Sequence, residues 1–372
     1  MKQGVPQLHH NTTEFSWMLE FIYGFLPLNR GLESVVKFGL MIQPRSIEQT
    51  VTLSQLAEKF GYEWVGIADS PVVYQESYLH QMAALQATHN LMVGPLVSHV
   101  VLRHPIVVAN SLSTLNEMSG GRVRAAIGTG NSAARGFSLP PTTLEQIGEA
   151  LLCMRAWWEG ESAQFGSSRI AGTGIQRRGC SLFVAADGPA GARLAAQIGD
   201  GFVFGGGLDN QLVRDRVAMG IHSSEQKAWI APAVSLATTR DAVIRDMGAQ
   251  MIAMANRALR GDLYTQGVPS EFHEAVKGLR GSYDYAFHAD GNRPINIAAA
   301  SRELADYLVD RMVIWGDKNR WGQVIERLSE NCDGIMLILG QRDPVSVVGA
   351  ISERLKSLGA LAARATRPFS VN

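Results

Sequence analysis

The segment of this chain best suited to hold an anion is a glycine-rich turn, Ile127-Gly-Thr-Gly-Asn-Ser-Ala-Ala134. The residues before it, from Arg122, read as a short buried strand, and the small residues after it read as the start of a helix. Gly128 and Gly130 let the backbone bend and approach a ligand with no Cβ in the way. Asn131 and Ser132 are placed to cap the helix, whose unpaired N–H groups attract negative charge. The same arrangement recurs downstream. A buried strand over 181–186 runs into Asp187-Gly-Pro-Ala-Gly191 and a helix over 192–198, with Gly188 free in φ and Pro189 suited to a first helical turn. Either turn alone reads as readily as an ordinary strand-to-helix connection; two on one chain point to one phosphorylated cofactor.

What must position these turns is an alternation of strands and helices. Nearly all-apolar runs at 36–42, 64–68, 91–98, 123–128, 182–186, 201–204, 229–237 and 334–339 read as strands, and each is followed by a helical segment. Continuous apolar strands belong to parallel sheets covered on both faces. Eight strand–helix units in a row favour a closed (β/α)8 barrel, the TIM barrel of the α/β class, over a doubly wound sheet. Two insertions interrupt it. Residues 160–178 form a polar, glycine-rich hairpin or loop after the fourth strand, and 257–294 read as a helical lid after the seventh. Residues 1–34 read as an amphipathic extension serving as an oligomer arm, 35–360 as the barrel, and 361–372 as a tail.

Composition narrows the function. The 372 residues are 46% hydrophobic, enough for a large core, and Lys plus Arg equal Asp plus Glu at 34 each. No excess of positive charge supports nucleic-acid binding. The apolar stretch 15–28 is too short to span a bilayer and contains Glu20, so no membrane segment is expected. Cys153, Cys180 and Cys332 are far apart and without metal-ligand spacing, which fits a reducing cytoplasm and gives no metal framework.

Active sites of this fold lie at the C-terminal ends of the strands. The residues there are Gln43 and Arg45; Asp69, Ser70 and Tyr74; Ser98 and His99; Thr129, Asn131 and Ser132; Asp187 and Gly188; 205–207; and 238–240. One His and two isolated Asp do not make a metal-hydrolase rim. Asp69 is suited to hydrogen-bond a ligand ring or to act as acid or base, or else to cap the segment after it. His99 is suited to contact a flat heterocycle or donate a proton, or else to sit as a satisfied rim residue. His104, next to Pro105, reads as a helix cap, and the Trp157/Trp158 and Trp315/Trp321 pairs read as core or interface anchors.

From about residue 36 to 358 the chain resembles the bacterial-luciferase-like barrel oxidoreductases, which use FMN or the deazaflavin coenzyme F420. The resemblance is carried by Gly-Pro-Leu-Val-Ser-His-Val-Val-Leu-Arg-His-Pro at 94–105, by 112–123, by Gly-Thr-Gly-Asn-Ser-Ala at 128–133, by Ala-Ala-Asp-Gly-Pro at 185–189 and by Gly-Asp-Gly-Phe at 199–202. The first segment is most similar to the methylenetetrahydromethanopterin reductase branch. The Gly-Thr-Gly turn is also similar to deazaflavin-dependent sugar-phosphate dehydrogenases, and the Gly-Trp-Asn common there in FMN monooxygenases is absent.

The resemblance implies a hydride transfer between F420 and a small organic substrate. The alternative it implies is an FMN-dependent monooxygenase that uses reduced flavin from a partner reductase and oxygen. A barrel that binds cofactor and turns nothing over is the non-enzymatic reading. The implied cofactor contacts are Leu96, Val97 and Ser98 at a third-strand bulge with a cis peptide at Leu96–Val97, Thr129, Gly130, Asn131 and Ser132 for the pyrimidine edge and ribityl chain, and Ala186, Asp187, Gly188, Pro189, Gly205 and Gly206 around the phosphate. Asp69 matches the family's acidic residue after the second strand; it and His99 are the expected proton carriers. Met41 stands where methanopterin reductases carry a functional Glu, so their substrate chemistry does not carry over. A homodimer or higher homo-oligomer is implied as well.

Overall fold

Eight short strands, none longer than six residues, form the inner ring: Lys37–Ile42, Trp64–Ile67, Met92–Pro95, Arg124–Ile127, Ser181–Ala185, Gly201–Phe204, Lys227–Ile230 and Gly334–Ile338. Their neighbours are parallel throughout, in the order third, second, first, eighth, seventh, sixth, fifth, fourth. The computed structural model describes residues 36–288, 290, 300–340 and 343–361. The expected 1–34 extension, all but Leu361 of the 361–372 tail, and 289 and 291–294 of the late insertion lie outside them.

The ring closes between the third and fourth strands through the bridges Val93–Val123 and Ser98–Ile127. Four residues lie between Val93 and Ser98 but three between Val123 and Ile127, so the third strand carries one extra residue, a bulge. The Leu96–Val97 peptide inside it is cis. This is a TIM barrel, with helices such as Ile47–Phe60, Pro105–Met118 and Leu144–Trp158 on the outside.

The seventh strand departs from the continuous run over 229–237. Pro232 has no N–H to give, and the strand splits into Lys227–Ile230 and Ala233–Val234. The outer piece pairs with Val313–Ile314, a two-residue strand not foreseen from the sequence. Residues 160–178 contain an antiparallel hairpin, Ala163–Phe165 with Ser168–Ile170. After the helix Arg240–Ala258, the late insertion continues through a 3-10 turn Ser270–Phe272, a helix His273–Gly281 and a 3-10 turn Tyr285–Phe287. No helix among the described residues is long and apolar enough to cross a membrane.

Inside the ring, the end opposite the strand C-termini is filled by a cation in an aromatic cage. The Arg124 guanidinium lies 5.4 Å from the Trp64 and Phe183 rings and 5.6 Å from Trp229, with Glu63 at 3.7 Å. The cage fits because Gly201 and Gly334 leave space; a Cβ there would come within 2.1 Å of Phe183 and 2.5 Å of Trp229. Trp158 and Trp321 are buried in the outer layer, as core anchors should be, and His104 accepts a hydrogen bond from the Ile106 N–H at the start of its helix.

The seam is the tightest point. A Cβ on Gly94 would lie 2.0 Å from the Arg124 carbonyl oxygen, a backbone atom with no freedom to retreat. Gly94→Ala is therefore expected to cost about 3 kcal/mol or more and to lower Tm by several degrees. Gly278→Ala, with nothing within 4 Å, should be neutral or slightly stabilising. Thermal unfolding of the two variants checks this, and a wild-type Tm for Gly94→Ala contradicts it.

Candidate functional site

At the C-terminal end of the strands the loops enclose a cavity of about 560 Å³. It brings together Asp69, the Leu96–Val97 bulge, Thr129, Gly130, Asn131 and Ser132, Ala186, Asp187, Gly188 and Pro189, and Gly205. Ser98, His99 and Gly206 are not on its surface.

Asp69 is fixed from behind. Its carboxylate accepts from Ser98 Oγ at 2.7 Å and from Arg103 at 3.0 and 3.1 Å, and Arg103 also donates to Glu76 at 2.7 Å. Burial works against the Arg103 charge, but Asp69 and Glu76 outweigh it and raise its pKa. Ser98 is itself fully buried and receives Tyr78 Oη at 3.1 Å, so its hydroxyl serves Asp69 and not a ligand. The carboxylate with this set of donors acts as a fixed charge in the cavity wall.

His99 does not stand where direct proton transfer to a ligand would need it. It is fully buried, and neither ring nitrogen has a hydrogen-bond partner among the described residues. Burial lowers its pKa, so it is held neutral. It lies behind Gly130, whose Cβ would approach His99 Cβ to 2.6 Å, and Gly130 itself has φ of +65°.

The two glycine turns differ in detail from their expected form. Gly130, not Asn131 or Ser132, is the N-cap of the short helix Asn131–Gly136, with no side-chain cap bond. The Asn131 amide donates instead to Tyr285 Oη at 3.1 Å, where Asn256 at 3.1 Å and Arg260 at 2.5 Å also donate. At the second turn, Gly188 caps the helix Pro189–Ile198 with no side-chain bond, so the first-turn amides of Ala190 and Gly191 have no side-chain partner. The Gly205 amide is already bound to Asp187 Oδ1 at 3.0 Å, and the Gly206 carbonyl accepts from Arg311. The Gly205 N–H is thus already taken, whereas Ala190 and Gly191 present amides that no side chain caps.

Several lining residues were not foreseen: Gln250, Arg257, Arg260, Gln266 and His288. Arg257 is paired with Asp187, and Gln266, 4% exposed, leaves its Oε1 without a partner. Gln250 interrupts the apolar run 247–255, a signal that a polar group was needed there. His288 receives or gives a hydrogen bond at Nδ1 with Tyr283 Oη at 2.7 Å, and burial together with Arg257 lowers its pKa to about 4.

Comparison with known proteins places the chain in a family. The description luciferase-like monooxygenase matches residues 32–336, and the chain belongs to this family of (β/α)8 barrels. Among its relatives, an F420-dependent glucose-6-phosphate dehydrogenase of Beutenbergia cavernae is 29% identical over 196 residues, 46% of this chain and 57% of the relative. The chain thus spans less than two thirds of that dehydrogenase. A 5,10-methylenetetrahydromethanopterin reductase of Archaeoglobus fulgidus is 23% identical over 79% of this chain and 90% of the relative. Among solved structures, the coenzyme F420 dependent tetrahydromethanopterin reductase of Methanopyrus kandleri shares the fold with TM-score 0.68 at 17% identity, over 86% of this chain and 98% of its own.

Two measurements test the electrostatics. Arg103→Met leaves the Asp69 carboxylate, 2% exposed, without its cation, and is expected to cost about 3 kcal/mol, partly recovered by adding Asp69→Asn. An unchanged denaturation midpoint for the single variant overturns this. His288, neutral in the fold and protonated below about pH 6.5 when the segment opens, stabilises fully above that pH and loses its contribution as pH falls toward 4. The slope is at most about 1.4 kcal/mol per pH unit. Protection factors of the amides over 273–288, taken relative to intrinsic exchange at each pH, should therefore fall between pH 7 and 5, and His288→Gln should remove that dependence.

Proposed function

We propose that this protein is an oxidoreductase that exchanges a hydride between the deazaflavin coenzyme F420 and a small organic substrate. The observation that carries the reading is the single cavity that joins the third-strand bulge to both glycine turns. A relative named as F420-dependent, a sugar-phosphate dehydrogenase, supports it, and a second relative, a pterin reductase, supports the reaction type.

The residues present fit such a cofactor. The amides of Ala190 and Gly191, which no side chain caps, and the Cβ-free approach at Gly188 form an open polar cradle. There they would hold the phosphate end through backbone N–H groups at a helix N-terminus. Thr129, Gly130, Asn131 and Ser132 would line the pyrimidine edge, and Leu96 and Val97 would support the ring face. When bound, the deazaflavin supplies a two-electron hydride carrier. The chain orients the partners, keeps water from the ring through its apolar lining, and holds Asp69 as a fixed anion through Ser98 and Arg103. Residues 257–288, which contribute Arg257, Arg260 and His288 to the cavity, act as its lid. A homodimer in a reducing cytoplasm completes the reading; among the described residues Cys153, Cys180 and Cys332 form no disulfide.

The family's description as luciferase-like monooxygenase favours one second reading, an FMN enzyme fed by a flavin reductase. Titration of the apoprotein with oxidised F420 and with FMN, followed by fluorescence, separates them. F420 is expected to bind with Kd on the order of micromolar and FMN far more weakly; tight FMN binding alone overturns the reading. Gly188→Val, whose nearest obstacle is Gln266 at 3.6 Å, should fold normally yet weaken F420 at least tenfold. Unchanged affinity would remove Gly188 from the cradle.

A further inference from the structure

Part of the cavity wall belongs to neither glycine turn. Above the first, second and eighth strands, Ser70, Tyr74 and Gln250 line it together with Met41, Met254 and Ile338. The loop carrying Ser70 and Tyr74 is docked on the loop after the first strand through Gln75 N–H to the Pro44 carbonyl at 3.0 Å. Gln43, on that same loop, donates to Gln250 Oε1 at 2.9 Å, which turns the Gln250 amide and fixes its position. These three polar residues therefore share one corner.

Each of them has an unused donor. Ser70 is 4% exposed, and its Oγ is buried with no hydrogen-bond partner. Tyr74 Oη makes no hydrogen bond among the described residues, and burial pushes its pKa up to about 12, so it keeps its proton. The Gln250 Nε2 group makes none either. A buried donor without a partner costs about 1–3 kcal/mol, and such groups persist where a ligand satisfies them.

Beside the corner, the Arg45 guanidinium acts electrostatically on Tyr74. Asp69 is committed to Ser98 and Arg103 and Arg257 to Asp187, while Arg260 donates to Tyr285 and leaves its Nε without a partner among the described residues. The two arginines belong with the glycine turns. Around the three donors the wall is thioether and aliphatic carbon.

We propose that Ser70, Tyr74 and Gln250 receive the oxygen of an uncharged, largely apolar carbonyl compound or alcohol, which sets the substrate class of this cavity apart from sugar phosphates. A carbonyl oxygen accepts from these donors, and an alcohol both accepts from them and donates to a serine or tyrosine oxygen. The inference rests on the hydride-transfer reading for its chemistry, but the binding corner is testable apart from it.

The test uses the full chain with F420 bound, after Kd for F420 has been measured separately on wild type and variants. Cyclohexanone, cyclohexanol and glucose 6-phosphate are titrated as probes, read by the absorbance of the bound F420 and by Tm. The uncharged pair is expected to bind. The double variant Ser70→Ala/Tyr74→Phe should weaken them at least tenfold, as should Gln250→Met, with the F420 Kd within twofold of wild type. Glucose 6-phosphate should produce no change. Equal binding of the uncharged probes to the variants, no binding of either, or saturable binding of glucose 6-phosphate overturns the corner. If F420 fails to bind at all, the cofactor reading falls instead, and the same probes and variants, read by Tm on the FMN-loaded or free protein, decide the corner alone.

Discussion

The ring of strands closes across a mismatch of one residue. Were the third strand in plain register with the fourth, its end would lie flat in the wall; the extra residue between Val93 and Ser98 instead pushes Leu96 and Val97 toward the cavity. Neighbours must be small to accept this. A Cβ on Gly66 would meet Leu96 at 2.5 Å, and one on Gly128 would meet Val97 at 2.8 Å. Those glycines thus serve the seam at least as much as any ligand, and the first glycine turn is placed by it.

Polar groups are distributed in three settings with different logic. Arg124 is enclosed by aromatic faces at the floor, where it packs and holds no ligand. Asp69 is enclosed by donors at the rim, where removing Arg103 would leave it unpaired. Ser70, Tyr74 and Gln250 each keep a donor without a partner among the described residues. A barrel thus presents one end that is complete in itself and another with unmet hydrogen-bonding capacity, the usual division of this fold between stability and chemistry.

Much of the fold was legible in the sequence because its signals are local. Apolar strand runs fix eight units, and Gly-Thr-Gly or Asp-Gly-Pro fixes where two of them turn. What escaped depends on residues distant in the chain. Nothing near Asn131 says that Tyr285, 154 residues away, takes its amide, and nothing near Gly205 says that Asp187 occupies its N–H. His99 follows a strand end and reads as a rim residue, yet the bulge turns it behind Gly130. Pro232 was visible, and its missing donor should have divided the seventh strand. Gln250 and Gln266 carried only the weak signal of amides among apolar neighbours or in a polar loop.

Arg216 and Arg311 are 3% and 6% exposed, and neither has a carboxylate partner among the described residues. Arg216 donates to the carbonyls of Asp187 and Thr265, and Arg311 to those of Gly206, Gln266 and Gly267, with Tyr307 Oη beside it. Two guanidinium groups thus stitch the backbone of 265–267 to the loops after the fifth and sixth strands. Peeling that stretch away would strand both cations in a low-dielectric interior. The late insertion is therefore anchored at its root by backbone carbonyls, and further along by the Tyr285 hydroxyl that Asn131 and Asn256 hold.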